Sequence, residues 1–191
     1  EVKYIDSVFD ALSRASTESE LSDIRMELAA GGYVKQPRAK GSKGGKLPKS
    51  LPPIEYVSDD GFRILVGRNN RQNDMLTLKT AQKTDLWLHV QNITGAHVIV
   101  EANGGDIPQL TIEQAAMIAA FNSSAKNSSS VPVDYTQVRY VKKPSGAKPG
   151  MVIFTNNRTL YVTPDADAVK AYTHFISALC EMSRNAKRVT A

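Results

Sequence analysis

The 191-residue chain has one cysteine, one tryptophan and three histidines. The lone Cys180 cannot close an intrachain disulfide, so the fold must stand on packing and hydrogen bonds. No apolar run approaches the roughly 20 residues that a bilayer-spanning helix needs. The first residues are acidic, unlike the basic start of a signal peptide. Together these absences favour a cytoplasmic protein with no membrane partner. The GxxxxGK[ST] spacing of a nucleotide-binding loop is missing, and no nucleophilic Ser or Cys motif or second clustered carboxylate suggests hydrolysis. Apolar content is ordinary for a globular protein, at 41%, which excludes general disorder.

Charge is present and unevenly spread. Residues 1–30 carry Glu1, Asp6, Asp10, Glu18, Glu20, Asp23 and Glu27 against Lys3, Arg14 and Arg25, a net of −4. The whole chain is +5, which leaves +9 on residues 31–191. A cationic body behind an acidic end suits an anionic partner for the body alone.

Apolar periodicity divides the chain into four pieces. Residues 1–33 read as a helical hairpin. Tyr4, Ile5, Val8, Leu12 and Ala15 form one stripe, Leu21, Ile24 and Leu28 another, with Thr17 or Ser19 as cap and Gly31-Gly32 as stop. Residues 34–52 hold six bases, no acids, three glycines and two prolines between Lys35 and Leu51, the composition of a flexible basic linker. The third piece, 53–164, is expected to be α+β, a mostly antiparallel sheet with packed helices. Strands 54–58 and 62–66 flank Asp59-Asp60-Gly61, a hairpin signal. A helix capped by Asn69 or Asn70 runs to Thr80 with Met75 and Leu76 inward, and strands follow at 86–90 and 97–101. Thr111 is expected to cap a helix to Ala125. Val131–Val141 reads as one strand, and 151–155 pairs with 159–163 across Asn156-Asn157. A C-terminal helix occupies 165–191, striped by Tyr172, Phe175, Ile176 and Leu179.

Three groups of residues carry candidate chemistry. In Asp85-Leu86-Trp87-Leu88-His89 the pleat sends 85, 87 and 89 to one face. With the leucines inward, the acid, indole and imidazole face solvent as a platform for a base or sugar; the bland alternative puts Trp87 under a helix. Asp85, His89 and His97 also form an incomplete zinc set, lacking a further nitrogen or sulfur ligand. No metal or other cofactor is expected. The run Arg68-Asn69-Asn70-Arg71-Gln72-Asn73 sits at a strand-to-helix junction, where free N–H groups and fixed cations suit phosphate. Simple capping needs one amide, and this run supplies four. Lys142, Lys143 and Lys148 lie on a proline-stiffened loop, either merely solvated or touching a phosphate backbone.

From Pro53 to Pro164 the chain resembles the NFACT-R domain, the RNA-binding module of the RqcH/NEMF family of ribosome quality-control proteins. The segments that carry the resemblance are DGFRILVGRNNRQND, DLWLHV, TGAHVIV, AAMIAAFNSSAK, VDYTQVRYVKKPSGAKPGMV and TLYVTP, in that order. Residues 1–33 resemble the last helices of the family's central coiled coil. The family's PGSH loop here reads Thr94-Gly95-Ala96-His97, without the serine hydroxyl. The resemblance implies a non-catalytic module with rRNA of the large ribosomal subunit and tRNA as partners. Bacterial members bind large subunits with obstructed peptidyl-tRNA and support alanine tailing of stalled chains. The NFACT-N and helix-hairpin-helix regions are absent, so the chain is expected to be the C-terminal part of the protein, unable to elongate tails alone. Some family members carry the label fibronectin-binding protein, so an adhesin module is the alternative, with a metal-dependent hydrolase behind it.

The RNA-binding set read from the sequence is therefore Arg68, Asn69, Asn70, Arg71, Gln72, Asn73, Asp85, Trp87, His89, His97, Lys142, Lys143 and Lys148, with no catalytic or metal-ligating residue.

Overall fold

A computed structural model describes residues 1–35 and 51–172. Most of the basic segment, the C-terminal residues Phe175, Ile176 and Leu179, and Cys180 lie outside that range. Two helices open the chain, α1 (Val2–Arg14) and α2 (Glu18–Ala30). Thr17 caps α2 in a reciprocal capping box with Glu20, which satisfies orphan donors on both sides of the turn. Tyr4, Val8, Ala11 and Ile24 form the small core of this hairpin.

Strands β1 (Ile54–Val57), β2 (Arg63–Val66), β3 (Leu86–Val90), β4 (Val98–Val100), β5 (Val131–Gln137) and β8 (Arg158–Val162) make one sheet in the order β1-β2-β4-β3-β5-β8. Every pairing is antiparallel. The Asp59-Asp60-Gly61 hairpin forms as expected, with Gly61 at φ +81, a conformation open to glycine. β6 (Val141–Lys142) and β7 (Ile153–Phe154) pair separately.

The central strands of the sheet are buried on both faces. On one side Ile64, Val66, Leu86, Leu88, Val98 and Val100 pack under α4 (Gln109–Phe121). The alanines of α4 at 115, 116, 119 and 120 are fully buried, and their small size lets the helix lie close to the strands. On the other side Leu65, Trp87 and Ile99 stand in one cross-strand row. Leu76, Val138 and Val141 cover that row.

Several expected boundaries differ. The helix at Asn69 is α-helical only over α3 (Asn70–Met75) and continues as a π-helix, Leu76–Thr80. That wider turn aims Leu76 at the core and leaves Met75 half exposed. Pro108, not Thr111, precedes α4. Thr111 lies within the helix, where its hydroxyl donates to Asp60 and shares a hydrogen bond with the Ser58 hydroxyl. The expected strand 131–141 breaks at a 3-10 turn, Val138–Tyr140. The segments at 151–155 and 159–163 do not form a hairpin, because β7 pairs with β6 and β8 with β5. At the C-terminal end, a helix at 166–172 starts on Asp165, whose carboxylate accepts from the N–H groups of Asp167 and Ala168.

Candidate nucleic-acid interface

The amide-rich turn after β2 is an internal joint. Asn69 caps α3, its Oδ1 accepting from Gln72 N at 2.9 Å. Gln72 Oε1 accepts from Arg68 N at 2.7 Å, and its Nε2 donates to Leu51 O at 2.6 Å. Asn73 Oδ1 accepts from His97 N at 3.1 Å. That bond passes over Gly67, where any Cβ would overlap the Asn73 side chain.

The anion expected at this turn is supplied by the protein itself. Glu27 of α2 is 2% exposed, and its carboxylate accepts from Asn70 Nδ2 at 3.0 Å, Arg71 N at 3.2 Å and the Tyr4 hydroxyl at 3.0 Å. Arg68 pairs with Glu20 at 2.5 Å and donates to Pro52 O at 2.8 Å. The amides read as a phosphate cradle do not all face solvent: Asn69, Asn70 and Asn73 are buried. Only the Arg71 side chain is exposed, with Arg68 and Gln72 half-buried. The surplus amides serve the junction between hairpin and sheet, since buried polar groups need partners.

The alternation of β3 holds, but the face carrying Trp87 is covered. Trp87 is 1% exposed, with the Phe154 ring 4.8 Å away. Asp85 is buried and accepts from Gln82 N at 2.8 Å and Ala102 N at 3.0 Å, so it braces the strand ends rather than meeting either imidazole. His97 is buried, its Nδ1 2.8 Å from the Thr77 hydroxyl. His89 stacks on Trp87 at 5.7 Å and 11°, while His97 stands edge-on to both rings. Burial holds the His97 pKa well below its ordinary value, with the neighbouring His89 adding to the effect. Burial also lowers His89, against backbone hydrogen bonds with Val90 and Gly95. Both imidazoles are therefore neutral near pH 7. Among the described residues no group of three or more His, Cys, Asp and Glu could hold a metal ion.

The three rings line a cavity of about 420 Å³ on the face of the sheet beside α1. Lys3 and Ser7 of α1 line it too, together with Asp134 of β5. Asp134 stands opposite His89 in the sheet register. The Trp87 Nε1 is buried without a hydrogen-bond partner among the described residues.

The lysine loop folds against the same junction. Lys143 Nζ pairs with Asp74 at 2.6 Å and donates to Lys148 O at 2.8 Å. Gly150 N donates to the other Asp74 oxygen at 3.1 Å. Lys148 sits 5.1 Å from the centre of the Tyr33 ring, and Lys142 is exposed. Lys143 is thus held by an acid rather than projecting freely, while Lys142, Lys148 and Arg71 keep exposed charge.

Sequence reasoning missed Glu20, Glu27, Asp74 and Asp134. A signal existed for Glu27, which falls three residues after Ile24 and beside Leu28 on the inward stripe, where an acid requires partners.

A profile of the NFACT protein RNA binding domain matches residues 53–156. RqcH of Bacillus subtilis strain 168, named an Rqc2 homolog, is 49% identical over 171 residues, 88% of this chain and 29% of that protein. Its namesake from Streptococcus suis strain 05ZYH33 is 39% identical over 89% of this chain and 30% of that protein. The chain thus spans less than a third of these relatives. A solved structure of the C-terminal part of the fibronectin/fibrinogen-binding protein from Streptococcus suis superposes with a TM-score of 0.81 at 38% identity. That match covers 90% of this chain and 66% of the other. No helix among the described residues is long and apolar enough to cross a membrane. With over half of its length inside the profile, an antiparallel sheet shared with a solved relative and homology to RqcH proteins, the chain belongs to the NFACT-R family of RNA-binding domains.

Proposed function

We propose that the chain is the RNA-binding part of a cytoplasmic ribosome quality-control factor. It docks on rRNA or tRNA of a large subunit carrying obstructed peptidyl-tRNA and supports alanine tailing of the stalled chain. It acts without a cofactor and without chemistry of its own. The observation that carries the reading is membership of an RNA-binding family by a body of net charge +9 beyond residue 30. Counterion release from a nucleic-acid backbone supplies affinity to such a surface. Arg71, Lys142 and Lys148 are the exposed cations of the candidate set, and they take the phosphate contacts. Arg68 and Lys143 support them through their ion pairs. Asn69, Asn70, Gln72, Asn73 and Asp85 shape the junction from within, and Trp87, His89 and His97 act from the cavity.

The test is a crosslinking map of this chain on purified large subunits. Crosslinks from the lysine loop and the Arg71 turn to rRNA or tRNA are expected. Crosslinks confined to ribosomal proteins would reject the reading. The solved relative from Streptococcus suis is called a fibronectin/fibrinogen-binding protein, and that likeness favours a second reading, a fibronectin-binding module. Saturable fibronectin binding that survives removal of Lys142 and Lys148 would support that alternative.

A further inference from the structure

We infer that the cavity beside α1 receives one unpaired RNA base, with the Trp87 indole N–H donating to a carbonyl oxygen or ring nitrogen of that base. The inference rests on the RNA-binding reading and names what enters the protein. Trp87 Nε1 is the buried side-chain polar atom left without a partner among the described residues, whose other buried side-chain polar atoms are paired. A donor in that state calls for an acceptor. Asp134 supplies the complementary function. Gln91, Asn157 and Thr159 all donate to its Oδ1, which leaves Oδ2 for an exocyclic amino group. An edge with adjacent acceptor and amino positions is what a nucleobase presents.

Shape and charge point the same way. The volume of about 420 Å³ falls within the roughly 300–1,000 Å³ of small-molecule sites. Val90, Ile93, Val152 and Phe154 give the cavity apolar walls for the faces of a planar ring. Lys3, exposed on α1, is the one cation among its described lining residues, against Asp6 and Asp134. Phosphate is therefore disfavoured inside, and the backbone stays at the rim. The base must be unpaired, because its hydrogen-bonding edge has to be free to enter.

Trp87 is the sole tryptophan, so its indole N–H gives one identifiable NMR resonance. The experiment titrates the full chain with a short single-stranded oligoribonucleotide and with an abasic strand of the same length. The base-bearing strand is expected to shift the Trp87 Nε1 resonance and to bind about tenfold more tightly than the abasic strand. Trp87→Phe, which keeps a packed ring and deletes the donor, is expected to lose most of that preference. Equal binding of both strands with an unmoved resonance overturns the cavity assignment and leaves the RNA reading standing. Failure of both strands to bind at low salt overturns both.

Discussion

The carboxylate of Glu27 and the side-chain amide of Asn70 are joined by a 3.0 Å hydrogen bond across the junction of hairpin and sheet. A glutamate from the acidic end thus occupies the donors that a strand-to-helix turn offers an anion. Glu27→Ala removes the acceptor of the Tyr4 hydroxyl, of the Arg71 N–H and of one N–H of the Asn70 amide, whose other bond to Ser7 remains. The expected loss of stability is about 1–3 kcal/mol, read from the urea midpoint at an unchanged slope. Ser19→Ala, on the exposed side of the same helix, is the control and should move the midpoint little. Equal effects would show that the junction contributes no stability.

Gly150 sits at φ +78, and a Cβ there would lie 2.6 Å from Asn70 Oδ1. Gly150→Ala meets both backbone strain and a clash, with an expected cost of about 1–3 kcal/mol. Because Gly150 N also anchors Asp74, the lysine loop should loosen with it. Faster amide exchange across residues 143–150 is the measurement. A loop protected as in the parent protein would contradict the role given to Asp74.

The buried neutral imidazole of His97 makes the fold sensitive to acid. Its folded pKa lies well below the ordinary 6.5, so the unfolded chain takes up the proton first. The stability it contributes is complete above about pH 6.5 and is lost as pH falls from there through the depressed folded value. His97→Gln, which cannot titrate, should flatten the loss of thermal stability between about pH 7 and pH 5. An equally steep loss in that variant would assign the acid sensitivity elsewhere.

Exposed and ion-paired cations should separate in salt titrations. Lys142→Ala or Arg71→Ala is expected to make the plot of log affinity against log salt shallower by about 0.7–0.9 for each phosphate no longer neutralised. Lys143→Ala removes a partner of Asp74, and stability is expected to fall alongside RNA affinity. An unchanged salt slope in the Lys142 and Arg71 variants would remove both from the phosphate-binding set.

Local signals in the chain were accurate where the physics is local. The Asp59-Asp60-Gly61 turn, the Thr17 and Asn69 caps and the alternation along β3 all depend on a few adjacent residues. Local signals failed at Thr111, which lies inside α4, and at Asn156-Asn157, whose flanking strands pair elsewhere. For the site, the misjudged feature was the second face of the sheet. ILV, LWLHV and VIV are nearly continuous apolar runs, the pattern of strands covered on both sides. Trp87 in such a run belongs under a cover, here formed by Leu76, Val141 and Phe154. Leu76 is expected to face inward, but Val141 and Phe154 are remote in sequence, and no periodicity announces them.

The sequence by itself determined the class of fold, the order of most elements, the family and the separation of acidic hairpin from basic body. Tertiary structure alone decided which polar residues face water. Partners such as Glu27 for Asn70, Glu20 for Arg68 and Asp74 for Lys143 lie 43, 48 and 69 residues apart. A polar side chain reads the same whether its partner is solvent or a distant carboxylate, and only the folded chain brings that carboxylate within hydrogen-bonding range.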